Sequence, residues 1–157
     1  MRSAEDWFDA YGASHNNPLN KAIHWVCIPT ITWSLLALLQ AIPFPVEAGP
    51  FAHWGTVFAL VAMVFYATLS PTILLGMTLI GGACLWMNAA ILAAGAPLYS
   101  IAIAAFVASW IAQFIGHHIE GEKPSFFDDL KFLLVGPAWL LQFTYGRVGI
   151  PLMARPA

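Results

Sequence analysis

The sequence predicts an all-α membrane protein: a polytopic membrane helical bundle of about four transmembrane helices, followed by a C-terminal interfacial or re-entrant helical segment. Hydrophobic residues make up 60% of the 157 residues and charged residues only 9%, whereas an ordinary soluble domain is about 25% charged. Four apolar stretches approach the roughly 20 residues that a helix needs to cross a bilayer. Segments rich in proline and glycine separate them, which is typical of turns. The predicted spans are residues 23–42, 54–69, 72–94 and 99–116.

The C-terminal stretch 132–145 is apolar, but Gly136 and Pro137 interrupt it and Lys131 and Arg147 flank it. It is short for a span, so we expect it to lie in the membrane interface or to re-enter the membrane from one side. A fifth crossing is the alternative, and it would place Arg147 on the far side of the membrane.

The basic residues predict the orientation of the bundle. Every lysine and arginine lies at or before Lys21, or at or after Lys123. Four crossings between these two residues return the chain to its starting side, which the positive-inside rule makes cytoplasmic. We therefore expect one membrane-embedded domain, residues 1–157, in a bacterial inner membrane, with cytoplasmic ends 1–22 and 117–157. The lipid bilayer is the expected partner, whereas a formal net charge of −2 argues against nucleic acid.

Two segments that flank the spans carry most of the histidines. In the first, residues 11–24 (YGASHNNPLNKAIH), Asn17 and Pro18 are typical of a helix N-terminus. A turn there matters because in one unbroken helix His15 and His24 would lie about 180° apart, at 100° per residue. With the turn, both imidazoles can reach one ligand. The i, i+4 pairs of this segment are Tyr11 with His15 and Asn20 with His24.

The second segment is residues 110–125 (WIAQFIGHHIEGEKPS). Gln113, His117 and Glu120 follow an i, i+4, i+7 spacing and form one polar stripe at the end of an apolar helix. His118 points about 100° away from that stripe. Because lipid would make a polar stripe costly, we expect it to face the interior of the bundle.

Together the two segments predict a metal site on the cytoplasmic side. Three histidines with a nearby carboxylate and no thiolate fit a non-haem iron or a zinc centre. Glu120 is either a fourth ligand or the group that orients an imidazole. The candidate ligands are His15, His24, His117 and also His118, with Tyr11, Asn20 and Gln113 in supporting positions around them.

The same two segments resemble a small membrane family, the fungal and bacterial 2-hydroxy-fatty-acid dioxygenases, and the resemblance spans nearly the whole chain. It is anchored by several polar residues at fixed spacing, including Gly-His-x-x-Glu and Lys-Pro-Ser. The matching positions are Tyr11, His15, Asn20 and His24 in the first segment, and Gln113 to His117, Glu120 and Pro124 in the second, followed by FFDDLKFLLVGPAW.

The resemblance implies an enzyme of fatty acid α-oxidation. Such an enzyme uses Fe(2+) and O2 to oxidise a 2-hydroxy fatty acid and shorten its chain by one carbon. His15, His24 and His117 then become iron ligands. Glu120 and Asn20 are candidate catalytic residues beside them, and Lys21 is a further candidate because its charge can attract the substrate carboxylate.

Two other interpretations fit the histidines. They could serve as two axial ligands in a haem-binding membrane protein. They could instead line a proton path, with Glu120, in a small transporter or scaffold without catalysis. Any single histidine at a membrane interface could also be a simple anchor.

Overall fold

The computed structural model describes residues 2–46, 49–125 and 130–153. Within these ranges all regular structure is helical, which confirms the predicted all-α class. Parts of the predicted cytoplasmic end 117–157 lie outside the described residues. The helices are α1 (Ala4–Gly12), α2 (Pro18–Gln40), α3 (Trp54–Leu69), α4 (Pro71–Ala93), α5 (Leu98–Glu120) and α6 (Phe132–Val148).

Three of these helices are long and apolar enough to cross a membrane. α2, α4 and α5 have 23 residues each, with mean hydropathies of 1.7, 1.6 and 1.8. At 1.5 Å per residue each measures about 34 Å, against a hydrocarbon core of about 30 Å. α3 keeps its predicted bounds but has only 16 residues, or about 24 Å, and would need local thinning of the bilayer to cross it.

Two helices extend beyond their predicted spans. α2 begins at Pro18, five residues before the predicted span, which confirms the helix N-terminus predicted at Asn17 and Pro18. The side chain of Asn17 accepts a hydrogen bond from the backbone N–H of Leu19, and proline suits the first helical position. α5 continues to Glu120 instead of ending at residue 116, and Gly121 stops it with a left-handed φ of 80°. His24 and His117 therefore lie in regular helix.

The outward faces of helices α2 to α5 are apolar. Many large hydrophobic side chains there are more than half exposed, an arrangement that water would make unfavourable and that lipid accommodates. This surface supports association with a membrane. Examples are Val26 (68%), Leu60 (64%), Leu79 (66%) and Ile103 (55%).

α2 and α5 form the central pair and run antiparallel. At one end His24 meets His117, with ring centroids 4.9 Å apart. At the other end Ala37 packs in a buried cluster with Leu98. Near the histidines the two helices come close because residue 116 is glycine, since a Cβ there would collide with the side-chain oxygen of Asn20.

α1 and α6 cover the histidine end of this pair. The hydroxyl of Tyr66, in the last turns of α3, donates to the backbone oxygen of Leu134 at 3.0 Å. The hydroxyl of Tyr145 donates to the backbone oxygen of Thr72, in the first turn of α4, at 3.1 Å. α6 thus packs at the end where α3 finishes and α4 begins, in agreement with the predicted interfacial or re-entrant segment.

Candidate metal centre

Three histidine rings converge where α1, α2 and α5 meet. The ring centroids of His15 and His24 lie 4.4 Å apart, and that of His117 lies 5.0 Å from His15 and 4.9 Å from His24. Their side chains are only 1%, 0% and 4% exposed. One nitrogen from each ring lies within 4.8 Å of the other two, close enough for one metal ion to be held by all three.

Local backbone structure orients two of the rings. Nδ1 of His15 donates to the backbone oxygen of Tyr11 at 2.6 Å, and Nδ1 of His24 donates to that of Asn20 at 2.9 Å. Both bonds reach back four residues, which is the spacing noted in the sequence. Because the proton then resides on Nδ1, the lone pair of each ring is on Nε2.

The free nitrogens of the three rings fit a bound cation. Nε2 of His15, Nε2 of His24 and Nδ1 of His117 are all buried without a hydrogen-bond partner. A buried nitrogen acceptor without a partner is costly, and a metal ion would relieve that cost at all three atoms. The donor set, three imidazoles without a thiolate, suits Fe(II) or Zn(II).

Burial also prepares His15 for this role. Removal from water lowers the pKa of His15 to about 4, and this effect outweighs the hydrogen bond to Tyr11, which raises it. At neutral pH the ring is therefore uncharged, as a metal ligand must be.

Glu120 acts as a clamp beside the metal centre, in the sense that its carboxylate holds the backbone segment in front of α2. Its Oε1 accepts hydrogen bonds from the backbone N–H of Asn16 at 2.6 Å and of Asn17 at 3.1 Å, and its Oε2 accepts from Asn17 at 2.9 Å. These donors precede α2, and the N–H of Asn17, its N-cap, is among the groups that a helix N-terminus leaves free. Of the two roles that the sequence left open, this geometry favours orienting the site over ligating the ion.

Asn20 links this clamp to the helix pair. Its side-chain Nδ2 donates to Oε2 of Glu120 at 3.0 Å, while its backbone oxygen holds the ring of His24. The side chain is fully buried against Gly116. Asn20 therefore connects the end of α5 to a histidine of α2 directly.

The other predicted site residues occupy different positions. Tyr11 is buried and stacks on the ring of His15, with centroids 4.3 Å apart and planes inclined by 19°. Gln113 is also buried, one turn before His117. Lys21 is half-buried and close enough to His15 for its charge to add to the lowering of the pKa. His118 is exposed and lies outside the group of three rings.

The structure adds residues that the spacing of polar side chains did not indicate. Trp139 of α6 lies 5.5 Å from the ring of His15 and 5.4 Å from that of Tyr11. The hydroxyls of Ser14 and Ser125 are hydrogen-bonded at 2.7 Å. Ser125 belongs to the Lys-Pro-Ser motif and Trp139 ends the matching segment FFDDLKFLLVGPAW, so the resemblance was a signal for both, although neither was predicted to lie at the site.

A small cavity of about 40 Å³ adjoins His117. Its walls come from α1, α2, α5, α6 and the segment before α6, and they include Tyr11, Thr32, Gln113 and Gly136. This volume exceeds the 10–15 Å³ or so that one water molecule needs. The centre therefore has a confined space beside one of its three rings.

Comparison with known proteins gives two matches. Residues 1–148 match the model of a family described as 2-hydroxy-palmitic acid dioxygenase Mpo1-like. The chain is also 28% identical over 147 residues to 2-hydroxy-palmitic acid dioxygenase MPO1 from Saccharomyces cerevisiae, covering 92% of this chain and 79% of that relative. No solved structure matches the chain.

The neighbouring histidines of α5 provide a matched test of the centre. We expect His117→Ala to weaken metal binding by more than the roughly 10–100-fold that loss of an outer contact costs, because it removes one of three ligands. His118→Ala should bind metal as the wild type does, because that ring is exposed. Anaerobic titration with Fe(II) against a competing chelator measures both. Equal losses in the two variants would contradict the assignment.

Glu120→Gln tests the clamp. A neutral amide keeps the size of the side chain but replaces one acceptor by a donor that faces the N–H groups of Asn16 and Asn17. We expect metal affinity to fall by about 10–100-fold, as for other groups that orient ligands, with one ion still bound per chain at saturation. Glu5→Gln, at an exposed carboxylate of α1, is the control. Wild-type affinity in Glu120→Gln would refute the positioning role.

Proposed function

The chain belongs to the 2-hydroxy-palmitic acid dioxygenase Mpo1-like family, and from that premise we propose that it is an Fe(II)-dependent dioxygenase of 2-hydroxy fatty acids. In this proposal the enzyme uses O2 to shorten the acid by one carbon, which is a step of fatty acid α-oxidation. The printed name of the yeast relative supports the class of substrate and the use of O2.

The observation that carries the proposal is the set of three buried imidazole nitrogens without partners, on His15, His24 and His117. Three protein ligands leave open positions on a metal that prefers more, which is the arrangement a metal needs in order to bind a substrate as well as O2. A site closed by four protein ligands would suit a structural ion instead.

The proposed reaction balances without a further reductant. A 2-hydroxy acid, R–CH(OH)–COOH, and O2 give R–COOH, CO2 and H2O, and the four electrons that the acid loses reduce O2 completely. When bound, Fe(II) would supply O2 activation and a Lewis acid for the carboxylate and hydroxyl of the substrate. The protein's own task is to position the reactants and exclude water.

Residues around the centre suit this task. The bonds of Tyr11 and Asn20 to the histidine rings fix the directions of Nε2, and Glu120 holds the start of α2 against the end of α5. Trp139 and Tyr11 cover the ring of His15 with apolar surface. Such a dry, rigid setting strengthens electrostatic contacts with a charged substrate. Lys21 would add positive charge for the carboxylate.

The proposal places the centre at the cytoplasmic face of the membrane. The histidines lie where α2 begins and α5 ends, and along the sequence all six basic residues fall at or before Lys21 or at or after Lys123. The positive-inside rule supports a cytoplasmic location for this end. A centre at that depth could receive the polar end of an amphiphilic acid from the bilayer; the bacterial inner membrane stays a prediction from the sequence.

The other interpretations find less support in the geometry. A haem needs space for a flat macrocycle between two axial rings, whereas these rings pack edge to face with centroids only 4.4–5.0 Å apart. A proton path would need titratable side chains or water molecules hydrogen-bonded in series, and backbone amide groups do not relay protons in this way. Here the carboxylate of Glu120 and Nδ1 of both His15 and His24 are held by hydrogen bonds.

Oxygen consumption tests the proposed reaction. Protein purified without oxygen and reloaded with Fe(II) should consume O2 only when a 2-hydroxy fatty acid is present, because that acid supplies the electrons. One O2 should disappear for each acid shortened by one carbon, as measured with an oxygen electrode and mass spectrometry of the products.

Zn(II)-loaded protein and the unhydroxylated acid are the controls, and neither should support turnover. Full activity with Zn(II), or unchanged turnover in His117→Ala, would contradict the proposal.

A further inference from the structure

We propose that an apolar cavity between the helices holds the alkyl chain of the substrate, and that Gly81 sets the depth of that cavity. This inference rests on the proposed function and extends it to a choice among acids of different length. It assigns a role to a part of the bundle far from the histidines.

The cavity has a volume of about 460 Å³, within the 300–1,000 Å³ or so of typical small-molecule sites. It lies between α2, α3, α4 and α5, and residues 130–137 close one side. Nearly all of its surface is apolar, which suits a hydrocarbon chain and not a polar ligand. Characteristic lining residues are Leu36, Ala62, Met77, Gly81, Phe106 and Leu134.

This cavity shares part of its wall with the small cavity beside His117. Both are lined by Ile31 and Thr32 of α2, by Trp110 of α5 and by Pro137 of α6. A molecule that presents its polar end next to His117 would therefore have its chain directed into the larger space. This shared wall is the reason for assigning the cavity to the chain of the same substrate instead of to a separate ligand.

The helix directions show which end of the cavity lies near the histidines and which end lies far from them. α4 begins at the histidine end with Pro71, and Gly81 lies ten residues further, or about 15 Å along the axis at 1.5 Å per residue. α3 runs the other way, so Tyr66 is near the histidines and Phe58 lies roughly 12 Å from it toward the far end. Gly81 is thus placed where the end of an alkyl chain would arrive.

The surroundings of Gly81 suggest how it acts. A Cβ added there would meet only Cε of Met63, at 4.0 Å, although the residue is buried and lines the cavity. A larger side chain would therefore enter the cavity without striking the backbone. Gly82, the next residue, is exposed, and a Cβ there would meet nothing within 4 Å.

The cavity would discriminate between acids of different chain length by steric exclusion. A chain in the bilayer is already in an apolar medium, so transfer into the protein gains little from the hydrophobic effect. A chain too long for the available space must instead displace packed side chains, which typically changes an equilibrium by roughly 5- to 150-fold. Filling the far end should therefore penalise long acids and spare short ones.

The test compares Gly81→Leu with Gly82→Leu, using 2-hydroxypalmitate and 2-hydroxyoctanoate. Gly81→Leu should lower kcat/KM for the long acid by about 10-fold or more relative to the short acid, as expected for overpacking. Iron content should stay at the wild-type level. Gly82→Leu should keep the wild-type ratio for the two acids, because its side chain points away from the cavity.

Binding to Zn(II)-loaded protein, measured by calorimetry in one detergent, separates this proposal from the reaction. If Gly81→Leu weakens binding of the long acid relative to the short acid, the cavity assignment stands even when no turnover occurs, and only the proposed reaction fails. If the relative affinities for the two acids are the same in Gly81→Leu and wild type, the cavity assignment is overturned, whether or not the wild type is active.

Discussion

The carboxylate of Glu120 accepts hydrogen bonds from the backbone N–H groups that precede α2, and this contact joins the start of α2 to the end of α5. Two sequence-distant parts meet there: the segment before the first long helix and the last turn of α5. A negative charge at a helix N-terminus is favourable because it satisfies free donors and opposes the helix dipole. The close approach also requires Gly116, against which Asn20 packs.

The arrangement of the histidines follows from this contact. His15 lies in the segment that Glu120 holds in front of α2. His24 follows Asn20 by one turn of α2, and His117 precedes Glu120 by about one turn of α5. Their rings are therefore brought together from three separate elements and buried, and burial keeps His15 neutral. α1 and α6 then exclude water from the same end.

The sequence predicted the helical class, the break at Asn17 and Pro18, and the three residues that converge. Those predictions succeeded because they depend on local rules: hydropathy, capping and helical spacing. The start of α2 and the end of α5 lie five and four residues beyond the predicted spans, because hydropathy marks the apolar span and does not mark polar turns that stay helical at a membrane surface. The predicted count of four crossings depends on α3, which is apolar but, with 16 residues, shorter than the other three helices.

Contacts between distant elements were beyond the reach of local rules. Spacing placed Glu120 on the same stripe as His117, but only the packing of α2 on α5 turns its carboxylate toward Asn16 and Asn17. Trp139 and Gly81 look like ordinary membrane-helix residues, and their positions beside the centre and in the large cavity depend on how α4 and α6 pack. The candidate metal ligands could thus be predicted from residue types and spacing, whereas the contacts that support them could not.

X-ray absorption at the iron edge, on protein loaded with Fe(II) without oxygen, tests the central claim most directly. The account predicts one iron per chain with three imidazole ligands and only oxygen or nitrogen scatterers in the remaining positions, unchanged in His118→Ala. A sulfur scatterer, a porphyrin signature or fewer than three imidazoles would contradict it.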